Sequence, residues 1–159
     1  MKSKDLIISK STIENRIFMI RGHNVMISVH LAELYGVETR ALNQAVKRNA
    51  ARFPSDFMFQ LSEREADLVV SQSMIPHRKF FGGSLPYAFT EQGVAMLSTV
   101  LRSERAIQMN IAIMRAFVRL REIFSTHKEL ALKMKQLEMK VGKHDEEIQA
   151  IFEVINNQQ

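Results

Sequence analysis

The sequence predicts an α+β head with a helix-turn-helix-like pair, followed by a long C-terminal coiled-coil helix. Three observations predict it. Short runs rich in β-branched and aromatic residues alternate with segments of helical apolar spacing through the first two thirds of the chain. Turn-forming residues punctuate them: Arg21-Gly-His-Asn24, Gly36, Phe53-Pro54 and Gly82-Gly83. From Ser103 the pattern changes to apolar residues spaced three and four apart, without a proline.

Taken in order, Ile13–Ile20 and Val25–Ile27 flank a glycine-containing turn and predict a β-hairpin. Ser28 is placed as the N-cap of a short helix through Tyr35, with Gly36 as its C-terminal stop. A second helix is expected from about Glu38 to Ala51, since Pro54 disfavours a helical Phe53. Asp56–Leu61 predicts a strand. Ser62-Glu-Arg-Glu65 has capping-box spacing and opens a helix to about Gln72, with Ala66, Val69 and Val70 on one side. Residues 73–86 contain two glycines and two prolines and predict a loop. Tyr87–Phe89 predicts a short strand, after which Thr90 caps a helix carrying Val94, Leu97, Val100 and Leu101.

Met109, Ile113, Ala116, Leu120, Ile123, His127, Leu130, Met134, Leu137, Val141, His144, Ile148, Ile151 and Ile155 then form a heptad seam. With Met134, Val141, Ile148 and Ile155 at position a, Leu130, Leu137, His144 and Ile151 fall at d. β-Branched residues at a with leucine at some d positions favour a parallel dimer. The expected dimerisation residues are Leu130, Met134, Leu137, Val141, Ile148, Ile151 and Ile155; the alternative is an amphipathic helix folding back on its own domain. Gly142 weakens the helix by about 1 kcal/mol relative to alanine. His127 and His144 are read as register-setting or tolerated polar residues rather than a pH sensor. The expected division is a DNA-binding domain over 10–122 and a dimerisation tail over 123–159.

Composition narrows the function classes. In 159 residues, 46% are hydrophobic, which supports a real core. The absence of cysteine removes disulfides, thiolate metal sites and cysteine nucleophiles, and fits a reducing compartment. Leu6-Ile7-Ile8 is too short for a signal-peptide core, and no run approaches the roughly 18 apolar residues of a membrane span, so a cytoplasmic protein with no membrane association is expected. The net charge is +5. Residues 1–125 carry 17 Lys+Arg against 11 Asp+Glu, while residues 126–159 carry 5 against 6. The positive charge belongs to the front of the molecule, where a polyanionic partner would bind.

Within that front half, Ala32 lies four residues before Gly36, and Leu42 six after it. A helix-turn-helix needs this arrangement: a small residue where two helices approach, a glycine at the turn, and an apolar plug beyond it. On the second helix Leu42, Ala45, Val46 and Asn49 share one side. Arg40, Asn43, Gln44, Lys47 and Arg48 cluster within about 140° on the other, with no acid among them. Arginine can pair with guanine, and asparagine or glutamine with adenine. Lys47 and Arg52 are read as phosphate contacts. His77-Arg-Lys79, beside Phe80-Phe81, supplies a second basic group in which Arg78 and Lys79 could reach the DNA backbone or a groove. A solvated basic face and an ordinary surface loop are the plain alternatives.

Leu31-Ala-Glu-Leu-Tyr-Gly-Val37, Leu42-Asn-Gln-Ala-Val-Lys-Arg-Asn49 and Arg52-Phe-Pro-Ser-Asp-Phe57 resemble the ORF-six N-terminal domain family. So do Leu85-Pro-Tyr-Ala-Phe-Thr-Glu-Gln-Gly-Val-Ala-Met-Leu97, Leu101-Arg-Ser-Glu-Arg-Ala106 and Met114-Arg-Ala-Phe-Val-Arg-Leu-Arg121. The blocks stand in the family's order across roughly residues 10–122. The family is kin to the KilA-N and Bro-N domains of phages and large DNA viruses. The resemblance implies an α+β DNA-binding module of phage antirepressors and prophage remnants, so duplex DNA is the expected partner. An antirepressor acting on a repressor protein, through the tail or the apolar Met74-Ile75, is the rival reading.

Catalysis is not expected. His23 and His30 lie near Asn24 without an acid-rich ligand cluster, and Glu63, Glu65 and Asp67 share a helix start where Glu65 serves as a cap. No metal and no cofactor are expected.

Overall fold

The computed structural model describes residues 13–72, 78–81 and 83–157. The chain divides into two compact units, the first ending at Val118 and the second beginning at Arg119. The first unit is α+β. Its strands β1 (Phe18–Ile20), β2 (His23–Ile27), β3 (Met58–Gln60) and β4 (Tyr87–Thr90) form a sheet in the order β1-β2-β4-β3. Each neighbouring pair is antiparallel. The helices are α1 (Ser28–Tyr35), α2 (Thr39–Arg48), α3 (Glu63–Gln72), α4 (Glu91–Leu97) and α5 (Glu104–Asn157).

The hairpin between β1 and β2 closes through Arg21 (φ 53°) and Gly22 (φ 77°), with Ile20 opposite His23. Two positive φ angles in a two-residue loop match the right-handed strand twist. Arginine rarely adopts this conformation, and its side chain is tied down on three sides. The guanidinium donates from Nε and Nη2 to the Glu65 carboxylate at 2.8 Å each, donates to the Gln60 carbonyl, and stacks 4.3 Å above the Phe59 ring. Arg21 and the Ser62 N–H hold the Glu65 carboxyl well below its usual range, at about 2. The capping box forms as its spacing predicts: the Ser62 N–H donates to Glu65 (2.8 Å) and the Glu65 N–H to the Ser62 hydroxyl (3.2 Å).

Because strand side chains alternate between faces, the sheet serves two cores. Met26 and Phe89 point to one, with Leu31, Leu42, Leu97, Ile113 and Phe117. Val25, Ile27 and Ala88 point to the other, covered by Leu61, Ala66, Val69 and Phe81. The sheet is thus sandwiched between α3 on one side and α1, α2, α4 and the start of α5 on the other.

Four local expectations are corrected. Residues 13–15 form a helical turn rather than the start of β1, because Ile13 is fully buried in the helical core. Ser28 is the first helical residue, not the N-cap; its hydroxyl instead accepts from the Tyr87 N–H at 3.2 Å, joining α1 to β4. Helix α2 stops at Arg48, and Ala50–Arg52 form a separate 3-10 turn. Helix α4 ends at Leu97, and Val100 and Leu101 pack on the core from the following turn. In the predicted 73–86 loop, Arg78–Phe81 form a 3-10 turn. Met74-Ile75, His77 and Gly82 lie outside the described residues.

The seam spacing that begins at Met109 serves two ends. Met109, Ile113 and Ala116 are buried in the first unit's core, together with Ala106, Ala112 and Phe117. In the second unit every residue from 121 to 157 is exposed, positions a and d included. Leu130, Met134, Leu137, Val141, Ile148, Ile151 and Ile155 each present 50–63% of their surface to solvent. Among the described residues no helix is long and apolar enough to cross a membrane.

His30, on α1, is 5% exposed. Its ring stacks on Phe18 at 6.0 Å and its Nδ1 has no partner. Burial, with Arg16 nearby, lowers its pKa from 6.5 to about 4. The folded state therefore holds His30 neutral while the unfolded chain still takes up a proton. Stability is full above pH 6.5 and falls as the pH drops towards 4, by on the order of 3 kcal/mol. Urea unfolding at a series of pH values should show that slope in the wild type. In His30→Leu it should be missing from this window.

Candidate nucleic-acid interface

The α1–turn–α2 pair is built as the helix-turn-helix spacing requires. Gly36 adopts φ 71° as the left-handed cap of α1, and the Gly36 and Val37 N–H groups donate back to Glu33 and Ala32. A β-carbon at Gly36 would also lie 3.0 Å from the Arg105 Nε, which donates to the Leu34 carbonyl at the same helix end. Ala32 (1% exposed) allows the close approach, and Leu42 (fully buried) plugs the space beyond the turn.

Leu42, Ala45 and Val46 anchor α2 to the core, so the opposite side must face solvent. Arg40, Gln44, Lys47 and Arg48 are all exposed there. Among the described residues, no hydrogen bond or ion pair engages any of these four side chains. Several other cations of the first unit are neutralised at home. Arg16 pairs with Glu33 at 3.2 Å, Arg21 with Glu65 at 2.8 Å, and Arg78 with Glu63 and Asp67 at 3.1 and 3.5 Å. A row of cations without local acids is a surface whose charge remains available to a polyanion.

The remaining expected contacts sort differently. Asn43 is half-buried rather than part of an open stripe, and its Oδ1 is buried with no partner. The chain returning through Phe53 and β3 crowds this flank of α2. There Asn43 lines a cavity of 110 Å³ with Val46, Lys47, Ala50, Phe53, Met58 and Tyr87. Arg52 is exposed and follows α2 directly; its Nη1 donates to the Thr99 hydroxyl at 2.9 Å. Lys79 is exposed. Arg78 is drawn to the acidic start of α3, which leaves it a weaker candidate for phosphate.

The structure adds one cation that pattern reading did not single out. The Arg102 Nε donates to the Thr99 carbonyl at 3.1 Å, so two guanidinium groups from distant parts of the chain converge on Thr99. Arg52 and Arg102 are fifty positions apart in sequence, and no local pattern links them. No group of three or more His, Cys, Asp or Glu is placed to hold a metal among the described residues.

A helix-turn-helix-like pair set against a small antiparallel sheet, with a solvent-facing basic second helix, defines an α+β module of the kind that presents one helix to a polyanion. The chain belongs to the ORF6N domain family, whose family model matches residues 15–100. That span includes the sheet, α1 to α4 and the whole α2 surface. No curated protein and no solved structure matches the chain.

Proposed function

We propose that the protein is a non-enzymatic DNA-binding regulator of phage or prophage type, acting in the cytoplasm as a dimer held by its C-terminal helix. Helix α2 enters the major groove, with Arg40, Gln44 and Arg48 towards base edges and Lys47 and Arg52 towards phosphates. Asn43, turned towards its cavity, would have to rotate outward to read adenine. The observation that carries this reading is the exposed, acid-free row on α2, which stays unpaired while Arg16, Arg21 and Arg78 are neutralised by acids. Membership of the ORF6N family supports it.

Fluorescence anisotropy with a labelled mixed-sequence duplex, across a salt series, tests the reading. Wild-type affinity should fall log-linearly with salt. In Lys47→Ala/Arg48→Ala the slope should be shallower by about 2, one counterion released for each phosphate contact removed. Absence of binding at low salt would discard the DNA reading. It would favour an antirepressor that works on a repressor protein, for which the exposed apolar positions of the second unit are a ready surface.

A further inference from the structure

We infer that the second unit pairs with a second copy of this chain as a parallel, in-register coiled coil; this rests on the self-association proposed above and adds its orientation and register. The unbroken helix through Asn157 leaves its a and d residues half or more exposed, which a two-stranded seam would cover. The flanking charges decide how the second copy lies. On the same heptad frame, position g holds Lys133 and Lys140, and position e holds Glu138 and Asp145. In a parallel pair each g residue faces the e residue five positions further along its partner. Lys133 then meets Glu138 and Lys140 meets Asp145, twice each by symmetry.

Antiparallel pairing sets g against g and e against e, and both long alignments bring like charges together. One places Lys133 opposite Lys140. The other places Lys140 opposite Lys140 and Glu138 opposite Glu138, which offsets what Lys133 gains from Glu147. The histidines then fix the register. With the chains level, His127 meets His127 and His144 meets His144, so polar side chains share a layer. A slip of one heptad sets each of them against an apolar side chain, such as Met134 or Ile151, in both copies. Parallel pairing brings together the N-terminal ends of the two tails.

Because the chain has no cysteine, an introduced one reports position without interference. Full-length Ile123→Cys and Ile151→Cys, each at a d position near one end of the tail, should both form covalent dimers on mild oxidation. In an antiparallel pair the two copies of residue 151 would lie more than roughly 30 Å apart, far beyond disulfide reach. Dimers in sedimentation equilibrium that fail to link at either position would overturn the orientation and leave the self-association reading standing. Monomers at high concentration would overturn both. As a second measurement, Lys140→Glu should weaken dimerisation about ten-fold, since Asp145 then faces an acid. Unchanged or tighter pairing in that variant would also overturn the parallel arrangement.

Discussion

Gly93→Ala is expected to unfold the first unit or bring it close to unfolding. A β-carbon at Gly93 would sit 1.9 Å from the Phe57 carbonyl oxygen and 2.9 Å from its carbon. Such separations are far inside van der Waals contact, and the obstacle is backbone rather than the movable end of a side chain. The carbonyl cannot easily retreat either. It accepts from the Thr90 N–H at 3.0 Å and from the Thr90 hydroxyl at 3.3 Å, and Phe57 leads straight into β3. Thr90 is fixed in turn, since its hydroxyl caps α4 by accepting from the Gly93 N–H at 3.3 Å. Shifting Phe57 would therefore disturb the β3–β4 pairing and the cap of α4 together.

Overpacking a core usually costs about 1–3 kcal/mol when side chains can adjust, and a fixed backbone atom places this case at or above that upper end. For a domain of this size the melting temperature should fall by roughly 10–20 °C, read by circular dichroism. Gly83→Ala is the matching control, because nothing lies within 4 Å of the added β-carbon. It should stay within about 0.5 kcal/mol of wild type. A Gly93→Ala protein as stable as that control would show that the contact between α4 and β3 is looser than these distances allow.

Gly93 also marks where reading the sequence stops. Thr90 as a cap, Gly36 as a stop and Ser62–Glu65 as a capping box are each decided within four residues, and each forms as its spacing predicts. That glycine is required at 93 depends on a carbonyl thirty-six positions earlier, brought near only by the fold. Arg52 and Arg102 meeting at Thr99, and Asn43 turning into a cavity walled by Tyr87, are hidden for the same reason. Ser28 shows a subtler limit. A serine before a helical run satisfies the N-cap rule, but a β4 N–H competes for its hydroxyl and wins. On α2 the separation of anchoring and exposed faces was legible from angular spacing alone, because Leu42, Ala45 and Val46 recur at helical intervals. The seam was legible as one continuous pattern. Only the packed structure separates Met109, Ile113 and Ala116, spent inside the first unit, from the positions after 121 that remain exposed.

Ile148→Asp is expected to abolish self-association and, through it, to weaken DNA binding by about a hundred-fold or more. Ile148 occupies position a and is 50% exposed in the single chain. In the proposed pair it would face its counterpart across the seam, so the substitution would bury two carboxylates against each other. Removing them from water without a counter-charge costs several kcal/mol, comparable with the whole gain of a short coiled coil. Sedimentation equilibrium should then give the monomer mass. The first unit should keep its melting temperature, because Ile148 belongs to the second. On DNA, two linked α2 helices bind with the second event made intramolecular at an effective concentration near millimolar, and a monomer forfeits that advantage. The salt slope should fall as well, since each complex then releases the counterions of one head. Gln149→Asp adds the same charge at position b, facing away from the seam, and should alter neither mass nor affinity. If Ile148→Asp is monomeric and still binds DNA as tightly as the wild type, one α2 helix suffices and the paired-head reading fails. If it remains dimeric, the contact between chains lies outside the heptad seam.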